Sequence, residues 1–320
     1  MEFLKSILIT PFVDMATAPD FLLQVLWEGL VSGVLYALIA LGFVLIFRSS
    51  RIFNFAQGIM VVFAALTLIG FHSLGIPAWI SVIFTLGVMG LLAITIERVV
   101  LRPLVGQPDI ILFMATIGVT LFLIGFGELI FGGESKRMIT QELGMPTGSI
   151  DFEPFGGLLI LQHIEIMSVT AAVILVASLL LFLNKTRMGR AVRALGDDPQ
   201  AALSVGISLR TIWVLVWFLA GVIALVTGIF WGARAGGVDF ALEIIAYKAL
   251  PVLMLGGLES ITGAIVGGIA IGLLENLFEI YWGQELLGGG TKTWFAYVLA
   301  LFVLLFRPQG LFGEKIIERV

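Results

Sequence analysis

Long apolar stretches alternate with short polar ones along this chain, and the apolar stretches are continuous rather than striped. Uninterrupted runs occupy 21–47, 55–71, 78–96, 110–131, 166–183, 211–233, 261–281 and 293–306. A helix that is apolar all round belongs in lipid or deep inside a bundle, and a bilayer core of roughly 30 Å needs about 20 such residues to cross it. The pattern therefore predicts an all-α fold, a polytopic transmembrane helical bundle of about eight to ten spans. A ninth stretch, 250–258, is short, glycine-flanked and contains Pro251, so it is expected to be a broken or re-entrant helix. Glycines recur four apart at Gly29 and Gly33, at Gly263 and Gly267, and at Gly268 and Gly272. Such spacing marks faces where membrane helices touch closely. No internal sequence repeat is evident. Trp213, Trp231, Tyr281, Trp282 and Trp294 fall near the ends of runs and are expected to be interfacial anchors.

Composition narrows the class further. The chain is 59% hydrophobic and 12% charged, with a mean hydropathy of +1.10, which excludes a soluble globular fold. It has no cysteine, so disulfides, thiolate metal sites and cysteine nucleophiles are excluded. A net charge of −4 gives no basis for binding nucleic acid. Residues 1–20 hold a brief apolar patch with no clear cleavage site and are expected to be a short N-terminal tail.

Charge sets an expected orientation. If the loop 185–210 is cytoplasmic, alternation puts Arg48, Arg51, Arg98 and Arg102 on the same side. With nine crossings, Arg307, Lys315 and Arg319 join them. The opposite side receives the loop 132–165, with Glu134, Glu142, Asp151, Glu153 and Glu165 against Lys136 and Arg137. The expectation is an N-terminus outside and a C-terminus in the cytoplasm.

The loop 185–210 is itself patterned. At 100° per residue, Arg187, Arg190 and Arg193 cluster on one side of a helix while Met188, Ala191, Val192 and Leu195 share the other. Gly196 is expected to close that helix in the left-handed conformation, next to Asp197. Asp198 and Pro199 then supply an N-cap and a first-turn proline for a second helix through Ala202 to Val205, closed by Gly206. This reads as an amphipathic helical hairpin that docks another protein. An ordinary basic loop lying on anionic lipid is the alternative.

Three motifs give this pattern a family. GRAVRALGDDPQAALSVGISL, 189–209, resembles the cytoplasmic coupling loop of permease subunits in ABC importers for branched-chain amino acids. The stretch 29–65, GLVSGVLYALIALGFVLIFRSSRIFNFAQGIMVVFAA, resembles the signature of the same permeases, of LivH type, and FRPQGLFG, 306–313, is similar to their C-terminus. Where the family pattern continues histidine-glycine-glutamate, this sequence has Gln57, Gly58 and Ile59. The resemblance implies a permease domain over 21–306, with the coupling loop at 185–210 and a cytoplasmic tail at 307–320. It also implies a bacterial inner-membrane location and partners: ATP-binding cassette subunits, a second membrane permease subunit, the same or different, and a periplasmic substrate-binding protein that delivers a small amino acid. Permeases for urea, short amides and aromatic acids resemble the same pattern. An ion-coupled secondary transporter is a separate reading, with Glu275 as the ion site.

Polar residues inside the runs are candidates for a substrate path, because each costs a few kcal/mol in lipid unless it faces a cavity or another helix. Asn54 and Gln57 open the second run, spaced as a capping box. Glu275 and Asn276 lie within the run 261–281, where an interhelical hydrogen bond would also explain them. Glu28 and Glu128 sit near span ends and are expected to reach the interface. His72 and His163 are isolated at loop edges with no metal-ligand spacing, so neither a metal site nor a catalytic residue is expected. The stretch GGGTKT, 288–293, lacks the spacing of a phosphate-binding loop and follows no strand. ATP is therefore expected to be handled by the partner subunits, with no cofactor in this chain.

Overall fold

A computed structural model describes residues 7–137 and 139–313. The first six residues of the expected N-terminal tail, and Lys315 and Arg319 of the expected C-terminal tail, lie outside the described residues. Each apolar run forms a helix. In chain order the α-helices longer than four residues are α1 (Thr10–Thr17), α2 (Pro19–Ser50), α3 (Gln57–Ser73), α4 (Ala78–Thr95), α5 (Asp109–Phe131), α6 (His163–Lys185), α7 (Arg187–Asp197), α8 (Pro199–Ser204), α9 (Leu209–Ala235), α10 (Ile245–Gly256), α11 (Ile261–Phe278) and α12 (Phe295–Phe306). Six helical stretches among the described residues are long and apolar enough to cross a membrane. Two more of the expected spans, α3 and α12, are apolar but shorter.

α2 forms the axis, and it packs chiefly on α11 and α9. The reason is small residues meeting backbone. A Cβ on Gly33 would stand 2.7 Å from the Gly268 carbonyl and 2.8 Å from the Ile269 Cα, and one on Gly29 would stand 3.0 Å from the Gly272 carbonyl. Contact this close gains dispersion, which replaces the hydrophobic effect between helices in lipid. Gly263 and Gly267 turn the other way, onto Gly256 and Val252 of α10. The glycine repeats are thus contact faces, as their spacing predicts, for two different partners. α4, α5 and α6 are peripheral and expose much of their apolar surface.

The ambiguous ninth stretch, 250–258, falls largely on α10, which follows an irregular segment beginning at Gly237. Gly237 and Val238 pair with Arg137 and Lys136 in a two-stranded ribbon at the end carrying the loop 132–162. A 3-10 turn, Phe240–Ile244, leads into α10. At the opposite end, Leu311 and Phe312 donate backbone hydrogen bonds to Leu255 and Gly256 at 2.8 and 3.1 Å. Five residues of 3-10 helix and twelve of α-helix together span about 28 Å. Pro251 does not break α10, contrary to the expectation. Proline lacks the N–H that the Tyr247 carbonyl would accept, and the Tyr297 hydroxyl donates to that carbonyl instead, at 2.7 Å.

Other departures are local. The loop 132–162 carries a β-ribbon, Ser149–Phe152 against Leu159–Gln162, that the helical periodicity does not signal. The tail is helical over α1, where Phe12 meets Trp282 edge to face. Trp213 and Tyr281 are buried rather than interfacial, and Trp231 lies edge-on against Tyr36 at 5.7 Å. Trp294 is exposed, and Trp282 donates to the Ile7 carbonyl at 3.0 Å.

Candidate functional site

Two regions hold the chemistry that the sequence singles out: the docked hairpin at one end, and an irregular polar layer inside the bundle. At the hairpin, the Thr186 hydroxyl accepts from Gly189 N at 2.9 Å and starts α7. Asp198 accepts from Gln200 N and Ala201 N, both at 3.0 Å, as the N-cap of α8, with Pro199 in the first turn. Gly206 takes φ +85° and ends the pair, as expected.

Gly196 behaves differently from its expected role. It is not among the positive-φ residues, and α7 continues through it to Asp197. Its missing side chain serves contact: a Cβ there would collide with the Arg48 carbonyl at the end of α2, and one on Gly189 would collide with the backbone of Leu183 in α6. Val192, Leu195 and Ala202 are buried beneath the hairpin. Arg187, Arg190, Asp197 and Asp198 face outward, and Arg193 donates to Asn184 Oδ1 at 2.6 Å. Arg51, whose φ of +57° is the left-handed stop of α2, donates to the Gly196 carbonyl at 3.3 Å and pairs with Glu259. The hairpin is therefore bolted to α2, α6 and the α10–α11 turn. Three apolar residues of the polar hairpin are left open, Leu203 at 49%, Val205 at 78% and Met188, which does not join Val192 and Leu195 on the buried side, at 39% exposure.

The same contacts group the charges. Arg48, Arg51, Arg193 and Glu259 gather at the hairpin end. The buried Glu97 receives Arg102 at 3.0 Å, and Arg210 lies 3.9 Å away. At the other end, Trp27 donates to Glu165 at 2.8 Å, and Arg234 lies 3.9 Å from the same carboxylate.

Inside the bundle, α3 begins well below the surface. The Gln57 side chain lies against Gly42, about two turns inside the end of α2, and its Nε2 donates to the Ala220 carbonyl of α9 at 3.4 Å. The irregular backbone leading to it must be satisfied without water. Asn54 Oδ1 accepts from Ala56 N at 3.0 Å. The Thr116 hydroxyl of α5 lies 3.2 Å from both Phe55 N and the Phe53 carbonyl. The capping box is therefore not formed: Asn54 makes a local turn, and Gln57 points across to another helix because α9 offers a carbonyl there. Both side chains are fully buried, and Gln57 Oε1 has no hydrogen-bond partner among the described residues.

Glu275 and Asn276 form a second polar cluster. Glu275 accepts from Lys248 Nζ at 3.0 Å on each oxygen and from the Tyr36 hydroxyl at 3.2 Å. Asn276 donates to the Val25 carbonyl at 2.7 Å and accepts from Lys292 at 2.6 Å. Both residues serve the interhelical role that the sequence leaves open. Glu279 accepts from the backbone N–H groups of Gly290, Thr291 and Lys292, which accounts for GGGTKT as a loop wrapped around a carboxylate. Sequence reasoning missed Lys248 and Tyr36; a lysine within an apolar stretch was the available signal for the first. His72 and His163 rest on backbone carbonyls. Among the described residues no group of three or more His, Asp or Glu is arranged to hold a metal ion.

An all-helical bundle with buried polar layers, ends joined by glycine-packed spans and a capped hairpin fixed to one face is the architecture of a membrane transport subunit. Residues 25–307 match the family described as the permease component of branched-chain amino acid transport systems. The chain belongs to that family. BraD of Pseudomonas aeruginosa, a high-affinity branched-chain amino acid transport system permease protein, is 29% identical, with 93% of this chain and 98% of the relative covered. LivH of Escherichia coli K12, with the same description, is 28% identical, with 94% and 98% covered. The fructose import permease protein FrcC of Rhizobium meliloti is 26% identical over 72% of this chain and 62% of its own length.

Proposed function

We propose that this chain is the membrane permease subunit of a bacterial ABC importer for branched-chain or related small amino acids, with its hairpin end in the cytoplasm and its N-terminus outside. A periplasmic binding protein delivers the substrate, separate ATPase subunits bind ATP, and a second permease subunit completes the path. The observation that carries this reading is the hairpin, held by Gly189 and Gly196 against the ends of α6 and α2 while Leu203 and Val205 stay open. A partner that grips those apolar residues moves the spans with the hairpin, because at these glycines there is no side chain between them to yield.

The test is ATP-dependent leucine uptake by the complex, co-purified with its ATPases and binding protein and placed in proteoliposomes. Gly196→Leu is expected to leave ATP hydrolysis while abolishing uptake. Uptake that persists without ATP and collapses with an ion gradient refutes the reading, as does protease mapping that puts the hairpin outside.

A further inference from the structure

One half-buried acid, Glu243, has no side-chain partner among the described residues. Glu243 lies in the 3-10 turn Phe240–Ile244 that leads into α10. Its carbonyl packs on Gly58, where a Cβ would stand 2.7 Å from both that oxygen and the Ala246 methyl. The turn is thereby pressed onto the buried start of α3. Glu243 borders a small cavity together with Phe43, Phe53, Phe55, Ile59, Thr120 and Tyr247. Three of these rings form a ladder, with Phe43 and Phe53 stacked at 5.0 Å and Phe55 at 5.2 Å from Phe53.

Glu243 is half-buried, and the more deeply buried acids elsewhere in the bundle are paired. Glu275 has Lys248, Glu97 has Arg102 and Glu165 has Trp27. Among the described residues, no hydrogen-bond donor or cation meets the Glu243 side chain. A carboxylate within a bundle is costly unless a cation reaches it. An inorganic cation would need several oxygen ligands, and beside the one carboxylate the side chains lining this cavity offer only the Thr120 and Tyr247 hydroxyls, the former engaged with the Thr116 carbonyl. An ammonium group on an aliphatic stem suits both parts, since the carboxylate takes the charge while aromatic faces attract the cation and cover the stem.

We propose that Glu243 is the ammonium-binding point of the translocation path, holding the zwitterion of an aliphatic amino acid with its side chain against the Phe43, Phe53 and Phe55 wall. This rests on the permease reading above. The test uses the complete complex, and wild-type leucine uptake is measured first. Glu243→Gln is then expected to lower kcat/KM for uptake by about tenfold to a hundredfold, the worth of one charge-assisted hydrogen bond. Glu243→Asp should recover most of it, and Glu128→Gln, at an exposed acid, should leave uptake unchanged.

Because the chain has no cysteine, Glu243→Cys gives a second readout that does not depend on transport. A small cationic methanethiosulfonate reagent should label this chain, and leucine with its binding protein should slow the labelling. A thiol introduced by Phe302→Cys, on an outward apolar face, should show no such protection. Uptake by Glu243→Gln that matches wild type, or a thiol at this position that is unreactive or unprotected, overturns the assignment and leaves the permease reading standing. A wild-type complex that moves no aliphatic amino acid overturns both.

Discussion

Lys248→Met strands a carboxylate. Glu275 has only 4% of its side chain exposed and Lys248 21%, with the ammonium 3.0 Å from each carboxylate oxygen. Removing one partner of a buried ion pair costs about 3–5 kcal/mol, because the other charge is left without compensation. Here the lower end is expected, since the Tyr36 hydroxyl still donates at 3.2 Å. At about 1.4 kcal/mol per factor of ten, a loss of about 3 kcal/mol shifts the folded-to-unfolded ratio by about a hundredfold. The double variant Lys248→Met/Glu275→Gln removes both charges and should regain most of that loss, although each single change is destabilising. The assay is a double-mutant cycle on the purified complex, read by thermal and denaturant unfolding. A single variant that loses less than about 1 kcal/mol, or a double variant no more stable than Lys248→Met, would refute a buried ion pair that supports the fold.

Three further outcomes follow from local geometry. Gly33→Leu drives a side chain into the Gly268 carbonyl and Ile269 Cα, and should cost at least about 1–3 kcal/mol of overpacking, seen as a lowered melting temperature. Asp198→Ala removes the acceptor for two N–H groups and should cost about 1 kcal/mol, visible as faster proteolysis between α7 and α8, with Asp198→Asn close to wild type. Arg51→Ala loses the Glu259 pair while keeping the φ of +57°. Arg51→Gly loses the same pair but relaxes that conformation, and should be more stable than Arg51→Ala by about 1 kcal/mol in the same unfolding assay.

The spans were legible because lipid demands continuous apolar character, and the hairpin because caps and prolines are local chemistry. The α7 terminus was misread for a tertiary reason: Gly196 looks like a helix stop, but its absent Cβ serves the Arg48 carbonyl. The same holds for Gln57, whose spacing from Asn54 suits a cap while its amide reaches Ala220 on a helix distant in sequence. The course of α10 through Pro251 depends on the Tyr297 hydroxyl, a contact no window of sequence contains. Glu243 was passed over because one acid before a short apolar stretch reads as a loop residue. Its significance lies in Gly58 and the three phenylalanines that the fold gathers around it.

α2 is 32 residues long, about 48 Å, well beyond the thickness of a hydrocarbon core. Its N-terminal portion holds the β-ribbon through Gln24 and Ile160, and its C-terminal tip holds Gly196. Between them, Gly33 is wedged against Gly268, with arms of about 26 Å toward Ser50 and about 21 Å toward Pro19. Were the helix to tilt as one rigid part about Gly33, an ångström of sideways travel at its C-terminal tip would return as about 0.8 Å in the opposite direction at its N-terminal end.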